Sequence, residues 1–203
     1  MATSSTASTA TASTLAPPIL SSPLKAPKDL RVAIVTTDWY DHIVDPLSDA
    51  CRKELESNGV SAANIDLIKV PGAYELPFAA SRLIETRRDS LHAVIVIGCM
   101  VKGVTMAYEF VSEAVAMGIM KLNVKTNTPV VLGLLTCPSE EEATRCAKKT
   151  GTCNGKACNH GTEWAHSAVE LAHIRQKLAA KKCGDNCTCT NCTCDPCTCN
   201  KSS

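Results

Sequence analysis

Residues 92–98 read His-Ala-Val-Ile-Val-Ile-Gly, a branched aliphatic run that ends in a glycine. Three other runs, at 31–37, 65–70 and 130–136, are also rich in Val, Ile and Leu, and none of them alternates cleanly between apolar and polar residues. Runs of this kind are typical of strands that are buried on both faces of a parallel sheet. The sequence therefore predicts four short, buried strands.

Segments with helical periodicity separate these runs. Strands that alternate with helices form a parallel sheet with right-handed crossovers and helices on both faces. Residues 30–180 are thus predicted to be one α/β domain, a doubly wound parallel sheet of about four strands with flanking helices. The last helix is predicted over residues 163–178. The apolar faces of the other helices comprise Ile43, Leu47, Cys51 and Leu55; Leu76, Ala79 and Leu83; and Val111, Val115 and Gly118.

The overall composition excludes several classes of partner. The 203 residues carry 21 Lys and Arg against 20 Asp and Glu, a formal net charge of +1. This balance lacks the basic surface that binds nucleic acid or an anionic membrane, so we expect neither partner. The longest apolar run, residues 93–97, is far too short to cross a bilayer.

The first 29 residues differ in composition from the domain. They are dominated by Ser, Thr, Ala and Pro, with no aromatic residue and no acidic residue before Asp29. Such a composition buries too little apolar surface to offset the entropy of ordering, so we predict that residues 1–29 form a disordered extension. The extension is too polar for a secretory signal, and we expect a cytoplasmic protein. A Ser-rich, acid-poor start also resembles an organelle transit peptide, and that alternative stays open.

In an α/β sheet, ligands bind at the loops that follow the carboxyl ends of the strands. The first of these loops, residues 36–41, has no glycine, which excludes a dinucleotide-binding fingerprint there. The third, residues 98–105, resembles the phosphate loop of nucleotide hydrolases, but Lys102 precedes the second glycine, Gly103, instead of following it. A glycine-containing turn that opens a helix still presents free backbone N–H groups to an anion. The alternative is that Gly98 and Gly103 serve only the tight turn.

Four motifs follow one another along the domain: VPGAYELP at 70–77, GCMVKGVTMAYEFV at 98–111, PVVLGLLTC at 129–137 and NHGTEW at 159–164. In this order and spacing they resemble the 6,7-dimethyl-8-ribityllumazine synthase family, over residues 30–175. Trp39 in the first loop and the turn at 159–161 are most similar to fungal members.

The resemblance implies a flavodoxin-like subunit that assembles into a homopentamer, or a multiple of it, with active sites between neighbouring subunits. The family acts in riboflavin biosynthesis. It condenses 5-amino-6-(D-ribitylamino)uracil with 3,4-dihydroxy-2-butanone 4-phosphate, releasing phosphate and water, without a cofactor.

The resemblance also assigns contacts to these small-molecule substrates. Trp39 would stack on the pyrimidine ring, and Ala73 and Glu75 would hold the ribityl chain. Val104 and Thr105 would cradle the phosphate. The remaining candidates are backbone contacts to the pyrimidine, a residue from the adjacent subunit and a histidine at the start of the last helix: Cys99, Met100 and Val101; Leu132; and His160.

Two family positions carry different residues in this chain. Ala107 stands where the family has its acid/base histidine, and an ungapped match puts Cys146 where the family has a phosphate-binding arginine. Arg145 lies one residue earlier, which on a helix is a rotation of ~100°. We therefore predict weakened lumazine formation. Two alternatives stay open: an inactive oligomeric scaffold for thiolate metal binding, and a lumazine- or flavin-binding protein. The two residues also have structural alternatives to their substrate roles: Trp39 would cap a core edge, and Glu75 would favour its helix dipole.

Residues 181–203 form a third zone, in which Cys-X-Cys pairs recur every five residues. Adjacent Cys-X-Cys disulfides are strained, whereas closely spaced thiolates suit soft ions such as Cu(I), Zn(II) or Cd(II). The pattern resembles metallothioneins, and we predict a metal-binding tail. The alternatives are a reduced, disordered tail or disulfides in an oxidised preparation. The candidate ligands are Cys183, Cys187, Cys189, Cys192, Cys194, Cys197 and Cys199.

The other cysteines are expected to have different roles. Cys146, Cys153, Cys158 and His160 contain the donors of a Cys₃His metal site, but their spacing matches no zinc pattern, which favours free surface thiols. The remaining three fall on apolar faces or strand ends, and we expect them to be core residues: Cys51, Cys99 and Cys137.

Overall fold

The computed structural model describes residues 25–27, 29–148, 151–153 and 156–179. Its main sheet has four parallel strands in the order β2-β1-β3-β4. The predicted four-stranded parallel sheet is thereby confirmed, and the strand order is that of flavodoxin-like folds. The strands are β1 (Val32–Thr37), β2 (Ile65–Val70), β3 (Ala93–Val101) and β4 (Val130–Cys137).

Helices cover both faces of this sheet, as predicted for a doubly wound domain. One apolar core lies between the sheet and α1, α4 and α5, and a second lies between the sheet and α2 and α3. A short antiparallel hairpin, β5 (Gly151–Cys153) and β6 (Lys156–Cys158), precedes the last helix. The helices are α1 (Asp41–Ser57), α2 (Leu76–Thr86), α3 (Ala107–Lys125), α4 (Glu140–Ala147) and α5 (His160–Ala179). Across the described ranges, no helix combines the length and the hydropathy that a membrane span requires.

The prediction of burial on both faces is confirmed for the two central strands and is wrong for the two outer ones. All six residues of β1 are buried. In β2, by contrast, no residue is fully buried, and the Leu67 side chain is 57% exposed. Leu132 and Thr136 of β4 are also exposed. The reason is topological, because an edge strand has a neighbour on only one side.

The last helix begins three residues earlier than predicted. The Asn159 side-chain oxygen accepts a hydrogen bond from the backbone N–H of Gly161 at 2.8 Å, and its backbone oxygen accepts one from Thr162 at 2.9 Å. An asparagine in this role satisfies free N–H groups at a helix start. The helix therefore opens directly after Asn159, at His160.

Two glycines let this helix pack closely against the rest of the domain. A Cβ on Gly161 would lie 2.0 Å from the backbone oxygen of Leu47 on α1. A Cβ on Gly133 would lie 2.6 Å from the Val96 oxygen and 2.8 Å from the Trp164 ring. Any larger residue at either position would push the elements apart.

Part of the sequence assigned to the extension packs against the domain. The backbone N–H of Ala26 donates to the Asn58 oxygen at 2.8 Å, and the Lys25 oxygen lies 2.8 Å from Nε2 of His173. Pro27 is buried. The predicted extension up to residue 24 and the cysteine-rich tail lie outside the described residues.

Candidate active site

The four parallel strands present their carboxyl ends at one edge of the sheet. After β1 the chain turns to the face that holds α1, whereas after β3 it turns to the opposite face, which holds α3. Such a switch between neighbouring strands opens a crevice at the carboxyl edge, where α/β proteins bind ligands. Backbone hydrogen bonds tie the neighbouring loops together at this edge: Asp38 N–H donates to the Val70 oxygen at 2.9 Å, and Lys102 N–H to the Cys137 oxygen at 3.1 Å.

Two predicted substrate residues meet at Gly72. A Cβ on Gly72 would lie 3.2 Å from Oε2 of Glu75 and 3.8 Å from Cδ1 of Trp39. The Thr37 hydroxyl donates to the Trp39 backbone oxygen at 3.2 Å, which fixes the loop that carries the indole. Glu75 closes a short 3-10 turn before α2, and Ala73 opens the same turn and is buried. The first two loops therefore place an aromatic ring and a carboxylate side by side.

The Trp39 indole does not cover the core. Its side chain is 66% exposed, whereas an aromatic that caps a core edge would bury most of its surface. Tyr40, the next residue, has a left-handed backbone conformation with φ 58° immediately before α1 begins. The arrangement leaves the indole available to a planar ligand.

The end of β3 offers unpaired backbone groups toward the same crevice. The β1 ladder on β3 ends at Ile97, whereas the β4 ladder continues to Val101. The residues from Cys99 to Val101 therefore extend beyond β1, so their backbone N–H and C=O groups on that side lie outside the ladder. The Cys99 side chain itself is buried, and burial raises the pKa of its thiol to about 12.

The loop from Gly103 to Met106 joins β3 to α3 and contains the predicted phosphate residues. Val104 and Thr105 are both exposed. The Thr105 hydroxyl oxygen lies 3.4 Å from the backbone nitrogen of Ala107, the first residue of α3, and accepts its hydrogen. The other N–H groups of this first helical turn have no helical acceptor, and the helix dipole adds partial positive charge. The loop is therefore suited to an anion, and Ala107 brings only a methyl group there.

An ion pair that the sequence analysis did not find spans this loop. Nζ of Lys102 lies 3.0 Å from Oε1 of Glu109 in the first turn of α3. This hydrogen bond raises the pKa of Lys102 and lowers the pKa of Glu109, so both groups are charged at neutral pH. Oε2 of Glu109 is buried and has no hydrogen-bond partner among the described residues. Seven positions separate the two side chains across a loop, so no periodic pattern indicates the contact.

The structure does not bring Leu132 to the loops of its own chain. Leu132 lies in the middle of β4, paired with Val96, and its side chain is 40% exposed on the edge strand. It lies five positions before Cys137 at the carboxyl end of the strand, about 16 Å away at 3.3 Å per residue.

The two candidates on α4 point in different directions. The Arg145 guanidinium is exposed and pairs with Glu142 on the same helix. Cys146 is partly buried against the core under α1, α4 and α5.

His160 is held within α5. Its Nδ1 lies 3.0 Å from Oε2 of Glu163, and its ring stacks on Trp164 with 6.1 Å between the centroids. The described contacts of this imidazole are thus with its own helix.

The expectation of core cysteines is confirmed, since Cys51, Cys99 and Cys137 are all buried. Across the described part of the chain, no group of three or more His, Cys, Asp or Glu residues is arranged to hold a metal ion. The side chains of Cys153 and Cys158, and the whole cysteine-rich tail, lie outside the residues on which that statement rests.

Comparison with known proteins gives a match to one family. A family model described as 6,7-dimethyl-8-ribityllumazine synthase matches residues 29–176. The match covers the whole parallel sheet and the loops at its carboxyl edge, and it ends within α5.

Proposed function

Because the chain belongs to the 6,7-dimethyl-8-ribityllumazine synthase family, we propose that it is a transferase of riboflavin biosynthesis. It condenses 5-amino-6-(D-ribitylamino)uracil with 3,4-dihydroxy-2-butanone 4-phosphate to 6,7-dimethyl-8-ribityllumazine. One observation carries this proposal. The exposed Trp39 indole and the Glu75 carboxylate meet at Gly72, on the same sheet edge as an anion-binding loop.

The two halves of the crevice suit the two substrates. In our proposal the pyrimidine ring stacks on Trp39 and bonds to the backbone of residues 99–101, which extends beyond β1. Ala73 and Glu75 hold the ribityl chain, with the carboxylate accepting from hydroxyls. The phosphate binds the N–H groups at Val104 and Thr105, at the positive end of the α3 dipole.

Lys102 is the cation that supports phosphate binding in this proposal. The family's arginine position is occupied by Cys146, which packs against the core, and the neighbouring Arg145 lies on α4, on the face of the sheet opposite α3. Lys102, by contrast, adjoins the anion loop and spans it to reach Glu109. A charged donor next to a phosphate forms a charge-assisted hydrogen bond.

The condensation needs an amine, a ketone and proton transfers, but no oxidant or reductant, so we propose that it uses no cofactor. The amine attacks the carbonyl, water leaves to give an imine, phosphate is eliminated, and ring closure releases a second water. Holding the two reactants together supplies an effective molarity of ~10⁵ M or more. A positioned general acid/base adds about 10²–10⁴ in rate, and Ala107 supplies none. The expected enzyme is slow but active.

We further propose that the subunits form a pentamer or a multiple of it, with Leu132 completing the pocket of a neighbour. The distance of Leu132 from its own crevice supports this, as does its exposure on an edge strand. The likeness of Trp39 and of the Asn159-His160-Gly161 turn to fungal members is part of the same proposal, and so is a role for His160 near the substrate. The cytoplasm is the proposed location, or an organelle if residues 1–29 act as a transit peptide.

The cysteine-rich tail supports a second candidate function. In this second function the domain forms an inactive oligomer. The tails of the oligomer supply the thiolates that bind Cu(I), Zn(II) or Cd(II). The regular Cys-X-Cys repeat and the loss of the histidine at Ala107 favour this candidate. A domain that keeps the pocket and binds lumazine or flavin without turnover is a variant of the same idea.

A single-turnover experiment separates these functions. Enzyme in excess over both substrates should form lumazine, followed by its absorbance, faster than the substrates react alone. Trp39→Ala should weaken binding of the pyrimidine, and Trp39→Phe should retain most of it because a ring still stacks. If the enzyme gives no product above the uncatalysed rate, catalysis is excluded. Tight riboflavin binding without turnover would then support the binding protein.

A further inference from the structure

The turn between α2 and β3 presents two adjacent arginines and a serine on the protein surface. It runs from Arg87, directly after α2, to Ser90, and all four of its residues are exposed. Arg87 and Arg88 are the only adjacent pair of arginines in the sequence. Because the turn leads into the start of β3, it lies at the edge of the sheet opposite the crevice.

The Ser90 hydroxyl is only weakly held. It donates to the Arg87 backbone oxygen at 3.5 Å, which is too long for a strong hydrogen bond. The turn itself is closed by two backbone hydrogen bonds to the same oxygen, from the N–H groups of Ser90 and Leu91 at 3.0 and 2.9 Å. Exposed bonds of this kind open locally at little cost, so an enzyme that binds the turn can reach the hydroxyl.

The two guanidinium groups differ in their partners. Arg87 pairs with Asp66 on β2. Arg88 is exposed and forms no salt bridge with another described residue. Two cations that directly precede an exposed serine are complementary to an enzyme with an acidic binding groove.

We propose that Ser90 is a phosphorylation site for a serine kinase whose acidic substrate groove binds Arg87 and Arg88. Kinases select their substrates through charge patterns of this kind. Leu91 is buried, and its backbone oxygen accepts a hydrogen bond from the Arg175 guanidinium at 2.7 Å, so the chain is anchored directly after the serine. Recognition therefore comes from the residues before Ser90. The site is independent of the proposed synthase activity.

The phosphate donor is a nucleoside triphosphate that the kinase binds together with Mg²⁺. The Ser90 oxygen attacks the γ-phosphorus, the bond from that phosphorus to the bridging oxygen breaks, and the nucleoside diphosphate leaves. The hydroxyl proton passes to the catalytic base of the kinase. The product carries a charge of about −2 beside Arg87 and Arg88, which can donate charge-assisted hydrogen bonds to it.

Phosphorylation of the full-length protein in vitro tests the site. The chain is incubated with Mg-ATP and the catalytic subunit of cyclic-AMP-dependent protein kinase, an arginine-directed serine kinase, and is then digested with trypsin. The phosphate is expected on the peptide that begins at residue 88 or 89 and ends at Lys102, in which Ser90 is the only Ser, Thr or Tyr. Ser90→Ala should remove it.

Two arginine variants separate recognition from exposure. Arg88→Gln should lower kcat/KM for phosphorylation by about tenfold or more, because a charge-assisted contact with the kinase is lost. Arg82→Gln is the matched control, since it removes an exposed arginine from α2, eight positions before the serine, and should leave the rate unchanged. Equal losses in the two variants would refute recognition through Arg88.

A synthetic peptide of residues 84–94 is the unfolded reference. The proposal is refuted if the kinase phosphorylates this peptide but not the folded chain, because the turn is then inaccessible. A kinase that phosphorylates neither substrate would refute recognition through the arginines. Phosphate found only on other residues of the chain would refute the assignment to Ser90.

Discussion

Ala107 occupies the first position of α3, where a side chain can reach a ligand held by the preceding loop. An imidazole there can take and return the protons that the condensation moves, which is worth about 10²–10⁴ in rate for a well-placed group. We expect Ala107→His to raise kcat by at least about tenfold. Steady-state kinetics with both substrates measure the change, and Ala107→Gln is the control of similar size without a titrating group. A parent that already turns over at full rate, unchanged by the histidine, would point to another proton carrier such as His160.

The Lys102–Glu109 pair adds a second test at a single residue. Removing a cation that bonds a phosphate costs about 1.5–3 kcal/mol, so Lys102→Met should raise KM for the butanone phosphate by about tenfold or more. The value of kcat and the KM for the pyrimidine should change much less, because the lost bond is made in the ground state as well. Lys53→Met, on the exposed face of α1, removes the same charge and should leave both KM values unchanged. Equal effects of the two variants would refute a specific role for Lys102.

At the scale of the elements, α5 can approach α1 closely because residue 161, in the first turn of α5, is a glycine. Gly161→Ala would place a methyl group 2.0 Å from the Leu47 oxygen, and such overpacking costs about 1–3 kcal/mol. The urea midpoint of unfolding should therefore fall. Gly103→Ala is the matched control, since a Cβ there meets nothing within 4 Å, and its midpoint should stay near that of the parent. If both variants unfold at the parent's midpoint, α5 does not depend on this contact.

The four strands of the main sheet could be predicted from the sequence, whereas the strand order and the short hairpin could not. Each strand carries its own aliphatic run, so the four strands and the α/β alternation follow from local patterns. Exposure of Leu67 on β2 and Leu132 on β4 depends on which strands lie at the edges, and the strand order is not local information. The hairpin at 151–158 has strands of three residues, too short for any periodicity.

Some residues of the candidate site could likewise be predicted from the sequence, and others could not. Trp39 and Glu75 were predicted through their motifs, and the structure adds that both meet at Gly72. The Lys102–Glu109 pair could not be predicted. It joins a loop residue to the helix that follows the loop, and a single contact of that kind leaves no repeat in the sequence.

At the scale of the whole molecule, a single subunit exposes a wide apolar surface. An exposed apolar patch on one helix marks an interaction surface. The exposed large apolar residues of α3 are Phe110, Met117, Met120 and Val124. We expect light scattering at micromolar concentration to give five subunits or a multiple. Leu132→Asp should lower both the assembled fraction and the lumazine rate, because in the proposed assembly it places a charge where a neighbouring subunit packs. A monomer with full activity would contradict the shared site.

The composition of the cysteine-rich tail predicts that it acts independently of the domain. Residues 183–199 contain no aromatic residue and no Ala, Val, Leu, Ile or Met that could pack against the domain, and the family match ends before them, at residue 176. Truncation after Lys182 should therefore abolish uptake of Cu(I) or Zn(II) while leaving the thermal midpoint and the lumazine rate nearly unchanged.

Metal content per subunit, measured by mass spectrometry after gel filtration, gives the uptake, and the full-length chain is the reference. Because each subunit carries one tail, the amount of metal bound per oligomer should be proportional to the number of subunits. Undiminished uptake by the truncated chain would place the ligands among Cys146, Cys153, Cys158 and His160 instead. A truncated chain that lost both its metal and its assembly would show that the tail, and not the exposed face of α3, holds the subunits together.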